Sequence, residues 1–345
     1  MSSASLPATR GAHGDLGNQG DFFLCDVFDA LPKSDLASME HPLFSLSTRP
    51  DRRILSYSHN DVDIQVVPSV KGLATIFDKD ILIYCISQLM AAINRGRATR
   101  RTVTLTAHDL LRATNRETSG DAYRRLKEAF ERLAGTRITT NMQTGGVDAT
   151  TGFGLIESWQ ILRTGPGTGN GRGGRMLSVT VTLSEWLYRA VLSKSVLTLN
   201  RDYFSLRKPL ERRVYELARK HCGRQDSWRV SVETLLKKSG SASPRRVFRK
   251  MIRDMIKAQT LPDYDMQEET GDIIRFDLKD ALIEAMPPPR LSEAAHMQAR
   301  DLMPGADVYA LEAAWRAHWV ALGRVRLRNP DAAFIGWVRR SQNRP

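Results

Sequence analysis

Two stretches of this chain, 125 positions apart, carry the same pattern of apolar, capping and basic residues, so the fold has to accommodate that pattern twice. Aligning Leu110-Leu111 with Leu235-Leu236 brings Leu105 onto Val230 and Thr106 onto Ser231, an apolar strand residue followed by an N-cap candidate in each copy. The next helix matches in the same register: Thr118 falls on Ser243, Ala122 on Val247, Tyr123 on Phe248, Leu126 on Met251 and Phe130 on Met255. Basic residues also coincide, Arg124 and Arg125 with Arg249 and Lys250. Pro244 behind Ser243 suits the first helical position after a Ser cap.

A helix is predicted ahead of each copy. Ile81, Cys85, Leu89 and Ile93 mark one buried face that ends before Gly96, and Leu210, Val214, Leu217 and Ala218 mark the inner face of Arg207 to His221. Runs rich in Val, Ile, Thr and aromatic residues follow the first copy at Arg137 to Met142, Phe153 to Leu162 and Met176 to Leu183. Together they read as a β-ribbon, as does Leu261 to Leu278 after the second copy. Each copy therefore reads helix, short strand, helix, turn, helix, ribbon, the order of a winged helix.

The predicted fold class is α+β: two tandem winged-helix domains with β-ribbon wings, plus a small C-terminal helical region. The expected boundaries are a mobile tail at 1–20, an N-terminal winged-helix domain with an extended lead-in at 21–199, a second at 200–286 and the helical region at 290–345. In the last, Leu291 to Leu302, Val308 to Leu322 and Pro330 to Arg340 read as short helices. Val308, Leu311, Trp315 and Trp319 share one face there, either as core or as a surface for a partner.

Charge selects the partner class. Lys and Arg exceed Asp and Glu by 51 to 38, and between Asn200 and Thr260 the balance is 17 to 6, so the excess is concentrated in one region. The outward face of the helix after Pro244 carries Arg245, Arg246, Arg249, Lys250, Arg253 and Lys257, opposed by Asp254, and this set is predicted to meet double-stranded DNA. Arg212, in the preceding helix, joins the predicted DNA-binding set, and so do Arg124 and Arg125 of the first copy. The first copy shares its face with Glu128 and Glu131, which leaves weaker DNA binding or contact with a partner subunit open. Asp263, Asp265, Glu268, Glu269 and Asp272 argue against the second ribbon tracking a phosphate backbone.

Enzyme chemistry finds little support. The seven histidines are scattered without a metal-ligand pattern, the glycine-rich stretch at 164–175 lacks the Gly-Lys-Ser/Thr ending of a phosphate loop, and no Ser/His/Asp arrangement can be assigned. No enzyme activity, metal or cofactor is expected, and the glycine-rich stretch is read as a mobile hairpin loop. The three cysteines, Cys25, Cys85 and Cys222, lack metal-ligand spacing, and Cys85 sits in an apolar run that predicts a buried thiol. With no leader-like or membrane-spanning stretch, a cytoplasmic chain without membrane association is expected.

Several stretches resemble the plasmid replication initiator protein A family: SMEHPLFSLSTRPDRR, PSVKGLATIFDKDILIYCISQL, RLAGTRITTN, and DYFSLRKPLERRVYELARKHCG with TLPDY. The resemblance covers roughly Phe22 to Leu278. It implies theta-type plasmid initiation: binding of direct repeats (iterons) at an origin, help in melting adjacent DNA, and recruitment of the host initiator ATPase and replicative helicase. It further implies a homodimer that represses its own gene. The alternative on the residues alone is a winged-helix transcriptional regulator without origin function, with a protein-contact scaffold as a third reading.

Overall fold

The computed structural model describes residues 23–25, 30–59, 62–141, 150–163, 176–223, 225, 227–279, 288–322, 327 and 329–342. The expected tail at 1–20 and the glycine-rich stretch at 164–175 lie outside them.

The lead-in supplies β1 (Phe23–Leu24), β2 (Lys33–Asp35), α1 (Leu36–Glu40), β3 (Leu55–His59) and β4 (Val62–Val67). The first copy of the repeat follows as α2 (Lys79–Asn94), β5 (Thr102–Leu105), α3 (Ala107–Ala113) and α4 (Gly120–Gly135). Next come β6 (Arg137–Thr140), β7 (Thr151–Gly154), β8 (Ile156–Arg163), β9 (Met176–Leu183), α5 (Glu185–Leu192) and β10 (Val196–Thr198). A 3-10 turn at Arg201–Ser205 leads to the second copy: α6 (Pro209–Cys222), β11 (Ser227–Ser231), α7 (Val232–Ser239), α8 (Arg245–Ala258), β12 (Tyr264–Glu269) and β13 (Ile273–Leu278). The C-terminal helices are α9 (Glu293–Leu302), α10 (Val308–Ala321) and α11 (Pro330–Gln342).

Three elements of the two copies begin at a constant offset: Thr102 and Ser227, Ala107 and Val232, Gly120 and Arg245. The caps repeat as well, because the Thr106 hydroxyl accepts from the Asp109 N–H and the Ser231 hydroxyl from the Thr234 N–H, both at 3.1 Å. Each cap satisfies an amide that the first helical turn leaves without a partner, worth about 1 kcal/mol. Strand order agrees too: β5-β9-β8 in the first copy and β11-β13-β12 in the second, antiparallel throughout.

The first ribbon differs from its expectation. Arg137 to Leu183 splits at Leu155, where Leu155 and Ile156 are both buried and the in/out alternation of a single ribbon breaks. β8 and β9 form a hairpin on β5, whereas β6 and β7 join the lead-in strands in a separate sheet, β3-β4-β6-β7. β1 extends the first sheet in parallel beside β5, and β2 pairs with β10.

The matched helices α4 and α8 also turn different faces inward. α4 buries Ala122, Leu126, Ala129, Phe130 and Leu133, but α8 buries Phe248, Ile252 and Met255 and leaves Val247 47% exposed. Relative to the repeat register, α8 is turned about its axis by most of one residue step, roughly 100°. Val247, expected in the core as the partner of Ala122, is thus on the surface. α8 also starts one residue later than predicted: Pro244 is the N-cap, with extended backbone at ψ 145°, and Ser243 does not cap.

Among the described residues three hydrophobic cores result. One is built on α2, α4 and β9, another on α6, α8 and β13, and the last on the three C-terminal helices, where Trp315 meets Phe334 edge to face at 5.4 Å. α2 is buried around nearly its whole circumference rather than along one face, because α5, β2 and the second unit cover its other sides. Ile83 of α2 and Met39 of α1 belong to the second core. All three cysteines are buried, and burial pushes the Cys85 thiol up to about 12.

Candidate nucleic-acid interface

The basic residues predicted to form one face of α8 sort into two groups. Arg245, Arg249 and Arg253 recur every fourth residue along the edge of α8 beside the β12–β13 hairpin, where carboxylates meet them. Arg245 Nη2 donates to Asp272 at 2.7 Å. Arg249 reaches the same carboxylate side-on, with Nε 2.8 Å from Oδ1 and Nη2 donating to Oδ2. Arg253 grips Glu268 in the same manner, Nε and Nη2 each 2.8 Å from a carboxylate oxygen. Hydrogen bonds from Arg249 and Arg245 hold the Asp272 carboxyl below its ordinary value, and the bond from Arg253 does so for Glu268.

The hairpin turn makes the first contact possible. Gly271 and Asp272 both have positive φ, 81° and 65°, a conformation that Gly adopts freely and Asp tolerates better than most residues. The Asp272 carbonyl also accepts from the Val232 N–H at 2.9 Å, tying the turn to the start of α7. Arg246, Lys250 and Lys257 form the adjoining stripe of α8, three or four residues along the helix from the paired arginines. All three are exposed, and among the described residues none has an ion-pair partner.

The other predicted positions behave differently. Arg124 and Arg125 are exposed on α4, and both pair with Asp121 of their own helix, Arg125 at 3.0 Å. Arg212 is corrected: it is 3% exposed and part of the junction between the first two units, with no surface to offer DNA. Its Nη1 donates to Asp80 at 2.6 Å, its Nε to the Leu206 carbonyl at 2.9 Å, and its guanidinium lies 4.6 Å from the Phe77 ring centroid. Arg212 lies on the face of α6 opposite Leu210 and Val214, and it is enclosed because α6 is buried on all sides from Glu211 to Ala218, with the first unit packed over that face.

That junction is a buried polar network. Lys79 of α2 donates to Glu216 of α6 at 2.8 Å, the Tyr203 hydroxyl donates to the same oxygen at 2.8 Å, and Arg116 joins Asp80 at 2.8 Å. Arg213 donates to the carbonyls of Ser38, Met39, Glu40 and Lys238, so the lead-in, α6 and the end of α7 are held by one guanidinium. Glu40 in turn meets Lys220 at 3.1 Å and also Lys238; burial works against its charge, but contacts with His221 and Lys238 hold its carboxyl well below the usual range. Arg132 pairs with Asp78 at 2.7 Å, and Asp263 accepts from Asn200 and the Tyr215 hydroxyl, both at 2.5 Å. Every stretch that carried the family resemblance thus contributes a residue to this junction or its immediate support.

The glutamates and aspartates of the second ribbon were expected only to repel DNA, and their pairing with α8 was not foreseen. The acids Glu268 and Asp272 facing a helix rich in Arg were the available signal. Among the described residues no group of three or more His, Cys, Asp or Glu is arranged to hold a metal ion, and no helix is long and apolar enough to cross a membrane.

The family model for replication initiator protein A matches residues 33–266. A protein of Wigglesworthia glossinidia brevipalpis assigned a role in replication is 38% identical over 260 residues, spanning 74% of this chain and 92% of that one. Among solved structures, domains 2 and 3 of RctB share the fold with a TM-score of 0.51 at 14% identity, covering 70% of this chain and 96% of that one.

Proposed function

The chain belongs to the replication initiator protein A family, and from that premise we propose that it starts plasmid replication by binding repeated double-stranded DNA sites at an origin through two tandem winged-helix domains. The observation that carries this reading is α8, a helix on a three-helix, three-stranded unit whose Arg246, Lys250 and Lys257 face outward without carboxylate partners among the described residues. A helix of that kind enters the major groove, and its cations displace counterions from phosphates while a few side chains read base edges. The first copy, with Arg124 and Arg125 drawn to Asp121, contributes the weaker contact.

The three cores support a division at 21–199, 200–286 and 290–345, with the first two units locked together by the polar junction. Melting of adjacent DNA, recruitment of the host initiator ATPase and replicative helicase, and repression of its own gene by a homodimer complete the proposal, and their support is family membership. The α9–α11 unit lies beyond the residues matched by the family model, which makes it the part to delete when testing recruitment.

A gel-shift titration on DNA flanking the gene, against a scrambled competitor at physiological salt and followed by footprinting, tests the reading. Protection that recurs at a regular spacing beside an AT-rich tract is the expected result. Equal affinity for the scramble overturns sequence-specific binding, and protection of a single inverted repeat at the promoter favours a transcriptional regulator.

A further inference from the structure

The pairing of the second hairpin with α8 has a chemistry of its own. A guanidinium carries its donors on two kinds of edge: a side edge made by Nε and one Nη, and an end edge made by both Nη groups. Arg249 and Arg253 present the side edge to Asp272 and Glu268, two bonds each. Among the described residues their end edges remain open: the hydrogen bonds of both guanidiniums run through Nε and Nη2 to these carboxylates. With the side edge occupied, the end edge still offers the two parallel donors that a bidentate contact to O6 and N7 of guanine in the major groove requires.

A carboxylate on the side edge does two things for such a contact. It holds a flexible side chain in one orientation before DNA arrives, so less rotamer freedom is lost on binding. It also sets a negative charge beside the cation, which disfavours a passing phosphate while leaving the uncharged guanine edge acceptable. The hairpin is fixed well enough for this role, with the turn residue Asp272 bonded through its backbone to Val232 and Gln259 bonded to both backbone groups of Met266 in β12. The first copy has no equivalent, since Arg124 and Arg125 share a carboxylate on their own helix.

Resting on the DNA-binding reading above, we infer that Asp272 and Glu268 are specificity-determining positioning residues, which aim Arg249 and Arg253 at two guanines of each repeat. One helical turn separates the two arginines, about 6 Å along the axis, against a base rise of about 3.4 Å. The two guanine contacts therefore fall within about two base steps of each other.

The experiment uses the full chain and duplexes carrying one footprinted repeat, the repeat with each G·C pair in turn replaced by A·T, and a scramble, all at one salt concentration. Two doubly substituted proteins are compared with the unaltered one: E268Q/D272N, and E233Q/D265N, which removes the same two charges from the same unit without touching an arginine of α8. Asn is chosen at 272 because it tolerates positive φ.

The unaltered protein should lose on the order of tenfold or more in affinity at each of two guanines within two steps. In E268Q/D272N those losses should shrink to a few-fold and the ratio of repeat to scramble affinity should fall about tenfold, whereas E233Q/D265N keeps both. A folded E268Q/D272N protein that retains the guanine preferences, or an equal loss in E233Q/D265N, overturns the inference. If the double variant does not fold, E268Q alone, whose carboxylate bonds Arg253, carries the test for one guanine. Failure of the unaltered protein to prefer the repeat at all would instead count against the DNA-binding reading itself.

Discussion

Arg212 and Asp80 meet at 2.6 Å across the boundary between the first two units, with both side chains almost completely withdrawn from water. Removing Asp80 leaves the Arg212 guanidinium buried beside Arg116 without its countercharge, whereas replacing both partners by apolar groups of similar volume removes the need for one. Asp80→Asn should therefore cost about 3 to 5 kcal/mol of stability. Urea unfolding of the variant measures it, and a midpoint equal to that of the unaltered protein would show that the junction is not a structural lock.

On α8, the exposed residues should separate by their effect on sequence preference. Arg246→Ala should cost about 1 to 3 kcal/mol on the repeat and relax one base position, as expected for a reader of base edges. Lys250→Ala, the loss of a point charge, should weaken repeat and scramble alike and lower the salt slope by about one. Arg124→Ala with Arg125→Ala should move affinity less than either. Titrations at several salt concentrations distinguish these outcomes, and indistinguishable behaviour of all of them would remove α8 as the reading helix.

Gly240 ends α7 at φ +69°, and a Cβ placed there would lie 2.6 Å from Pro42 Cβ and 2.8 Å from the Tyr57 hydroxyl. Gly240→Ala combines left-handed strain with a steric conflict against the lead-in, for an expected loss of about 1 to 3 kcal/mol. Because the residue opens the turn into α8, DNA affinity should fall along with the melting temperature. A variant with unchanged melting temperature would mean that the lead-in yields freely.

Asp51 supplies a pH test. Hydrogen bonds from Arg53, with a further one from the Ser45 hydroxyl and against the effect of burial, bring its carboxyl down to about 2 from an ordinary value near 3.8. A carboxyl depressed in the folded state adds stability that is complete above the unfolded value and disappears as pH falls through the folded one. The stability difference between the unaltered protein and Asp51→Asn should hold steady above about pH 5 and close between about pH 4 and pH 2. A difference that persists below pH 2 would assign the effect to packing.

Much of the architecture was legible before any coordinates, because local signals repeat at a fixed distance. Thr106 and Ser231 as caps, the apolar stripe of α4, and the three C-terminal helices follow from short-range chemistry and 3.6-residue periodicity. Strand partnership was less accessible. β6 and β7, like β8 and β9, draw on Thr, Ile and aromatic residues, and nothing within Arg137 to Leu183 reveals that one pair joins β4 while the other joins β5.

The sequence by itself determined which stretches of the repeat form helices, that the unit occurs twice, and that positive charge gathers in the second copy, since each is written in patterns a few helical turns long. Tertiary structure alone decided which charges remain free. Arg212 and Arg246 are the same residue type in two basic helices, yet one is enclosed by Asp80, Phe77 and the Leu206 carbonyl and the other faces solvent. The roll of α8 about its axis exposes Val247, and the β12–β13 turn brings Asp272 to Arg249, 23 residues away in sequence. Burial and ion pairing depend on contacts between segments distant in the chain, and those are set when the units pack together.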